Sequence, residues 1–404
     1  MGQKGLTNFF ENYLKQESLF LNKKVLQSNY APKTILHREE QIQQLASIMA
    51  PALRGEKPSN IFIYGLTGTG KSLTIQNICN NMLAIAEKNS LKIKFVYLNC
   101  KLKRIADTEY RLIAQLASEF GEEIPATGLP TVEIYKMFTK AMERDKVLLI
   151  VVLDEIDQLG QKIGDGILYN LTRLNSELKN SDISLIGLSN NLVFTENLDP
   201  RVRSSLSEEE VTFPSYNAIQ LQDILRQRVK LVFREGVLEE GVIEKCAAYA
   251  AKEHGDARRA LDLLRVAGEI AERKGKNLIR IIDLDIAEDK IEMDLFVNII
   301  STQPKQFKLT LYSIIKIQQG VTSNMPIFTG EIYETYKDLC FKVGLRPLTQ
   351  RRLCDIISEL EMLGIITTKV ISKGRYGRTR EVCIAIPEDI MGNVESLLKE
   401  GLSL

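Results

Sequence analysis

Residues Gly65-Leu66-Thr67-Gly68-Thr69-Gly70-Lys71-Ser72 match the spacing G-x-x-x-x-G-K-[ST], a pattern with which a chain cradles a polyphosphate. The glycines let successive backbone N–H groups turn inward, and a helix starting behind the loop adds its positive end. Gly65, Thr67, Gly68, Thr69 and Gly70 supply the wrap. Lys71 sets a point charge against the β and γ phosphates, and the Ser72 hydroxyl suits Mg²⁺. A grip alone does not hydrolyse. The apolar run 147–153 ends in Asp154-Glu155, so one strand delivers a metal-holding carboxylate, Asp154, and a neighbour, Glu155, placed to polarise water. A second strand, 183–188, ends in Ser189-Asn190, where the Asn190 amide can orient that water or touch phosphate. Gly255-Asp256-Ala257-Arg258 opens a helix, and a guanidinium there opposes the helix dipole unless an anion faces it. Arg258 is therefore expected to reach the nucleotide. Arg201 and Arg203, in 199–206, suit either a neighbouring subunit's γ-phosphate or a plain ionic balance with Glu208, Glu209 and Glu210.

Such groups need a scaffold that brings strand ends together. Runs 61–64, 93–98, 147–153 and 183–188, separated by amphipathic helical stretches, imply a parallel sheet covered on both faces. The phosphate loop lies between the first of these strands and a helix carrying Ile75, Ile78, Cys79, Met82 and Ile85 on one side. After Phe213-Pro214 the spacing turns helical, as in Leu221, Ile224, Leu225 and Val229, or Leu261, Leu264 and Ala267. Three parts are expected: an α/β nucleotide-binding domain with an N-terminal arm over 1–210, a helical lid over 211–300 and a third domain over 301–404. Residues 1–30 read as an arm or extra helix.

The third part carries a second kind of chemistry. A helix over 329–341 and a turn at Gly344-Leu345-Arg346-Pro347 precede a helix capped by Thr349, with Leu353, Ile356, Ile357 and Leu360 at helical spacing. Strands expected over 365–371 and 380–386 flank the glycine-bent tip 372–379. A helix-turn-helix followed by a basic hairpin is a winged helix. Residues 341–380 hold nine basic side chains against three acidic ones, a local excess that suits DNA phosphate and base edges. Thr349, Gln350, Arg351 and Arg352 at the start of the second helix, and Lys373, Arg375, Tyr376, Arg378 and Arg380 on the hairpin, are the candidate DNA contacts. Docking onto a protein is the competing reading.

Composition narrows the field. With 404 residues, 53 Lys plus Arg against 52 Asp plus Glu, and a net charge of +1, the chain has no global field drawing it to nucleic acid or a membrane. The six cysteines lie at least fourteen residues apart and read as reduced packing residues, and two lone histidines make a catalytic triad or zinc site improbable. The longest apolar run, 147–153, is too short to span a bilayer, and Lys4, Glu11, Lys15 and Glu17 interrupt any signal sequence, so a cytoplasmic, nucleoid-associated location is expected.

In their order, the phosphate loop, the Asp154-Glu155 strand, Asn190, the Arg258 lid and the terminal winged helix resemble AAA+ ATPases of the replication-initiator class. The stretches 37–42, 199–206 and 255–265 resemble the archaeal origin-recognition and cell-division-cycle initiator family. That resemblance implies an ATPase that binds ATP or ADP with Mg²⁺, recognises double-stranded origin DNA, hydrolyses slowly as a switch and helps recruit the replicative helicase, with other initiator subunits as further partners. It also implies that Tyr30 and Pro32 line an adenine pocket and that 124–131 is an insertion touching DNA. Many AAA+ relatives place a trans-acting arginine where Ser205 stands, so Arg201 or Arg203 must substitute or hydrolysis between subunits is weak. A helicase or clamp loader working through protein contacts, a nucleotide-switched transcription regulator and a DNA scaffold without useful hydrolysis are the alternatives.

Overall fold

The computed structural model describes residues 17–27, 30–32, 34–101, 108–125, 128–206, 208–320, 327–372, 378–402 and 404. The chain divides into two compact units, Met1–Leu284 and Asp285–Leu404.

In the first unit β1 (Asn60–Tyr64), β2 (Ile93–Asn99), β3 (Leu148–Asp154), β4 (Asp182–Ser189) and β5 (Glu208–Thr212) form one sheet in the order β2-β3-β4-β1-β5, every neighbouring pair parallel. Parallel strands need crossover connections, and here helices supply them and cover both faces. β3 records this directly. Leu149, Val151 and Leu153 join one apolar cluster while Leu148, Ile150 and Val152 join another, because successive side chains point to opposite faces. All the strand carboxyl ends lie on one edge, where open α/β sheets bind their ligands.

β5 corrects the sequence reading, which has only an acidic patch at Glu208 to Glu210. This is an edge strand paired to β1 alone, with Ile61 opposite Glu209 and only Val211 and its surroundings drawn into the core. Edge strands tolerate charge, so the run Glu-Glu-Glu hides a strand from hydropathy.

The helices Ala218–Val232, Val242–Lys252 and Ala257–Arg273 form the helical part of this unit. The arm packs here: the Phe20 and Phe233 ring centroids are 4.8 Å apart, and Ser18 Oγ and Lys23 Nζ donate to the Glu272 carboxylate at 2.6 and 3.1 Å. A Cβ at Gly268 would come within 2.5 Å of the Phe20 ring, so the helix must be bare at this point. Within the arm, the described part holds a single short 3-10 turn, Lys23–Leu26. Of the cysteines, Cys79, Cys100, Cys246 and Cys340 are buried, whereas Cys354 is half-buried and Cys383 exposed, so packing accounts for only the first four.

The second unit is built on the helices Lys305–Gly320, Thr329–Val343, Gln350–Met362 and Glu388–Leu402, with β6 (Ile327–Phe328), β7 (Ile366–Ser372) and β8 (Arg378–Ile384). The strands form an antiparallel sheet in the order β6-β8-β7. Leu353, Ile356, Ile357 and Leu360 of the third helix pack with Ile332, Tyr336 and Leu339 of the second. Thr349 caps the third helix by accepting from the Arg352 amide. The hairpin strands are displaced from the expected 365–371 and 380–386, and the short β6 has no counterpart in the sequence reading. Helix-turn-helix plus antiparallel wing makes this unit a winged helix.

Candidate functional site

The phosphate loop leaves β1 and enters the helix Lys71–Lys88. Gly70 stands before that helix at φ 92°, a left-handed conformation that a side chain disfavours. Gly68, at φ 74°, is held by more than torsion: a Cβ there would lie 1.7 Å from Asp256 Oδ1. Asp256 caps the helix Ala257–Arg273, accepting from the Arg258 amide at 2.7 Å, so the helical part sets its N-terminus directly on the loop.

Lys71 is buried, and its Nζ donates to Gly65 O at 2.7 Å, Leu66 O at 2.9 Å and Asn190 Oδ1 at 2.9 Å. Burial pushes this ammonium down to about 8, and the neighbouring Arg258 charge adds to the fall while Asp154 opposes it. The loop thus holds an enclosed cation whose three hydrogen-bond acceptors are all neutral. Ser72 Oγ donates to Asp154 Oδ2 at 2.9 Å, and the Tyr97 hydroxyl donates to the same oxygen. A hydroxyl and a carboxylate already in contact are the hard oxygen donors that Mg²⁺ takes. Beside them opens a cavity of about 450 Å³, lined by Gly68, Gly70, Ser72, Tyr97 and Asp154 and by Tyr30, Pro32, Ile224 and Leu261. That volume falls within the ~300 to 1,000 Å³ of small-molecule sites. The residues present fit a magnesium nucleotide.

Glu155 follows β3 at φ 54°, a strained conformation for a residue with a side chain, with its amide donating to Asp154 Oδ1 at 2.9 Å. The Glu155 carboxylate lies 3.7 Å from Lys101 Nζ. Arg258 is exposed and lines the cavity. The structure therefore brings Lys71, Ser72, Asp154, Asn190, Tyr30, Pro32 and Arg258 to one loop and its adjoining cavity. Arg201 and Arg203 are not among them. Both are exposed on the helix Pro200–Leu206, and Arg201, 89% exposed, pairs among the described residues with Asp199 at 3.6 Å. Ser205 is half-buried and donates to Val202 O at 2.8 Å, which leaves the arginines as the exposed cations of that helix. In the segment 124–131, Ala126 and Thr127 lie outside the described residues, and Ile124 and Leu129 pack against the core.

Sequence reasoning assigned no role to Arg38. The side chain is 1% exposed and donates Nε to Thr69 O at 2.9 Å, Nη1 to His37 O at 2.9 Å and Nη2 to Pro214 O at 2.6 Å. Its guanidinium lies 3.8 Å from the Tyr216 ring centroid. It ties the phosphate loop at Thr69 to Pro214, far along the chain, and to its own neighbour His37, and the only sequence signal was its place in the 37–42 stretch. Arg38→Ala strands three carbonyls and empties a buried site, so it is expected to lower stability by about 3 kcal/mol or more. Urea unfolding measures this; an unchanged midpoint would contradict the assignment.

In the second unit, Arg351 and Arg352 are exposed on the first turn of the helix Gln350–Met362, beside exposed Thr349 and Gln350. They differ in their partners. Arg352 Nη1 lies 3.5 Å from both Asp355 Oδ2 and Glu359 Oε1, whereas Arg351 has no ion pair among the described residues. Arg380 is half-buried and donates to Ser358 Oγ on that helix, so its guanidinium is engaged in holding hairpin to helix. Arg378 begins β8. Lys373, Arg375 and Tyr376 lie outside the described residues.

Three family models match in sequence: an AAA domain over 54–201, a Cdc6 AAA+ ATPase-type lid domain over 222–289 and a CDC6 C-terminal winged helix domain over 298–394. An ORC1-type DNA replication protein 1 from Archaeoglobus fulgidus is 52% identical over 385 residues, covering 95% of this chain and 92% of its own. An ORC1-type DNA replication protein from Pyrococcus abyssi is 49% identical over 393 residues, covering 96% and 93%. Among solved structures, the Aeropyrum pernix ORC1 protein in complex with DNA aligns with a TM-score of 0.81 at 44% identity, covering 95% of this chain and 98% of that one.

Proposed function

The chain belongs to the archaeal ORC1-type DNA replication protein family, and we propose that it is a replication initiator whose AAA+ domain binds ATP or ADP and whose winged helix binds origin DNA. One observation carries the reading: a single chain joins a buried lysine, held on neutral acceptors in a phosphate loop, to a winged helix with an uncommitted arginine at its recognition-helix start. The parts over 1–210, 211–300 and 301–404 serve as ATPase layer, lid and DNA-binding domain.

At the nucleotide, Gly65, Thr67, Gly68, Thr69 and Gly70 present the loop to the phosphates, and Lys71 exchanges its carbonyl partners for phosphate oxygens. Tyr30 and Pro32 bound the base. Ser72 and Asp154 would hold Mg²⁺, which when bound neutralises charge on the phosphates. Glu155 polarises water and Asn190 fixes the lysine through its amide oxygen, while Arg258 brings the lid's charge to the phosphates. Arg201 and Arg203 act on a neighbouring initiator subunit's nucleotide. Hydrolysis is slow and works as a switch, and the DNA-bound form helps recruit the replicative helicase in the cytoplasm, at the nucleoid. Among the described residues, no helix is long and apolar enough to cross a membrane.

At the DNA, Thr349, Gln350, Arg351 and Arg352 present the helix start to the major groove. Lys373, Arg375, Tyr376 and Arg378 extend the contact along the wing, and Arg380 keeps the wing in place. The ion pairs imply an order of effects. Arg351→Ala is expected to cost about 1 to 3 kcal/mol of origin affinity, and Arg352→Ala less, since its charge is already shared with Asp355 and Glu359. Fluorescence anisotropy at several salt concentrations reads both; the reverse order would contradict the assignment. Footprinting on the host's origin against a duplex of equal length tests the function itself. Protection confined to origin repeats is expected, and uniform protection of both duplexes would defeat it.

A further inference from the structure

The connection between the helices Thr329–Val343 and Gln350–Met362 starts at Gly344, whose φ of 69° ends the first helix, and runs through Leu345, Arg346, Pro347 and Leu348 to the cap Thr349. Thr349, Gln350, Arg351 and Arg352 are all exposed, so burial in the core begins only at Leu353. The end of the helix that meets DNA is therefore placed by its connection as much as by the core. Three side chains reach the backbone of that connection. The hydroxyl of the fully buried Tyr336 accepts from the Leu348 amide at 3.2 Å and donates to Gln306 Oε1. Gln306, on the first turn of the helix Lys305–Gly320, donates Nε2 to Arg346 O at 3.0 Å, and the Tyr333 hydroxyl donates to Leu348 O at 3.2 Å.

Each bond in this set has one possible direction. An amide N–H can only donate, so at Leu348 the Tyr336 hydroxyl is the acceptor and its single proton is left for Gln306. The Gln306 oxygen takes that proton, and its NH₂ meets a carbonyl that can only accept. The series from the Leu348 amide through Tyr336 and Gln306 to the Arg346 carbonyl thus begins and ends on the connection. It spans Pro347, which has no N–H and a fixed φ. We propose that Tyr336 and Gln306 are positioning residues for DNA recognition, holding the connection so that Arg351 and its neighbours meet base edges at the origin. Base readout needs that alignment, whereas phosphate contacts carry no sequence information. The inference rests on the reading of the winged helix as the DNA-binding part and assigns the residues that aim it.

The test is fluorescence anisotropy of the full chain on a duplex carrying the host's origin repeat and on a duplex of equal length without it. For Tyr336→Phe, origin affinity is expected to fall about fivefold or more while affinity for the second duplex stays within about twofold. Gln306→Met cuts the same series at a half-buried position, and it is expected to give the same split should the phenylalanine variant fail to fold. In an Arg351→Ala background the loss from Tyr336→Phe is expected to shrink, because the hydroxyl acts through where that side chain is held. Unchanged origin affinity in both variants, an equal loss on both duplexes, or a loss undiminished by Arg351→Ala would overturn the positioning role. A wild-type chain that binds the two duplexes equally would instead overturn the DNA-recognition reading beneath it.

Discussion

Lys71→Met is expected to weaken ADP and ATP binding by roughly 100-fold or more while leaving the free chain as stable as before, or more so. The two halves have one cause. In the free chain the ammonium is enclosed, donates to two loop carbonyls and the Asn190 amide, and is pushed down to about 8 by that burial. The fold therefore holds this charge at a cost, and an apolar side chain of similar length removes it. A phosphate reverses the sign, because an anion against an enclosed ammonium replaces neutral acceptors with charged ones. Calorimetry with ADP and urea unfolding of the free chain measure the two halves. A variant that binds ADP like the wild type would remove Lys71 from the site, and one that is much less stable would show a structural lysine instead.

Glu155→Gln is expected to slow phosphate release by about 10²- to 10⁴-fold with nucleotide binding preserved. The residue sits in a left-handed turn directly after the strand that delivers Asp154, one residue beyond the carboxylate that meets Ser72. A carboxamide keeps the shape and the backbone turn but cannot take a proton from water. Lys101, 3.7 Å from the Glu155 carboxylate and largely exposed, is its one ion-pair partner among the described residues, and such a pair is weak enough to release the group. Single-turnover phosphate release under saturating ATP separates the effect from binding. Unchanged turnover would take Glu155 out of the mechanism.

The legible parts of the molecule are those where one local pattern has one physical meaning. Residues 147–153 read as a doubly covered strand because apolar residues on both faces leave no other use for the run, and the loop Gly65 to Ser72 announces itself by spacing. Thr349 and the periodic Leu353, Ile356, Ile357 and Leu360 likewise mark a capped helix with one buried face. What stayed hidden depends on partners distant in sequence. Glu208 to Glu210 became a strand because β1 offers it hydrogen bonds that hydropathy does not register. Arg38 and Arg228 look like ordinary helix-flanking and helix-surface cations until the fold encloses them, one among carbonyls and the other beside Tyr30. Arg380 reads as one more cation of the hairpin, but its reach to Ser358 turns it inward.

In the proposed function, nucleotide held by the phosphate loop governs how the winged helix grips origin DNA. The most direct measurement is the affinity for a duplex carrying the host's origin repeat, by fluorescence anisotropy, with ATP, with ADP and with neither. The three states are expected to differ for the wild type, and Lys71→Met is expected to make them equal. Identical wild-type affinities in all three states, with nucleotide binding verified in the same samples, would contradict it.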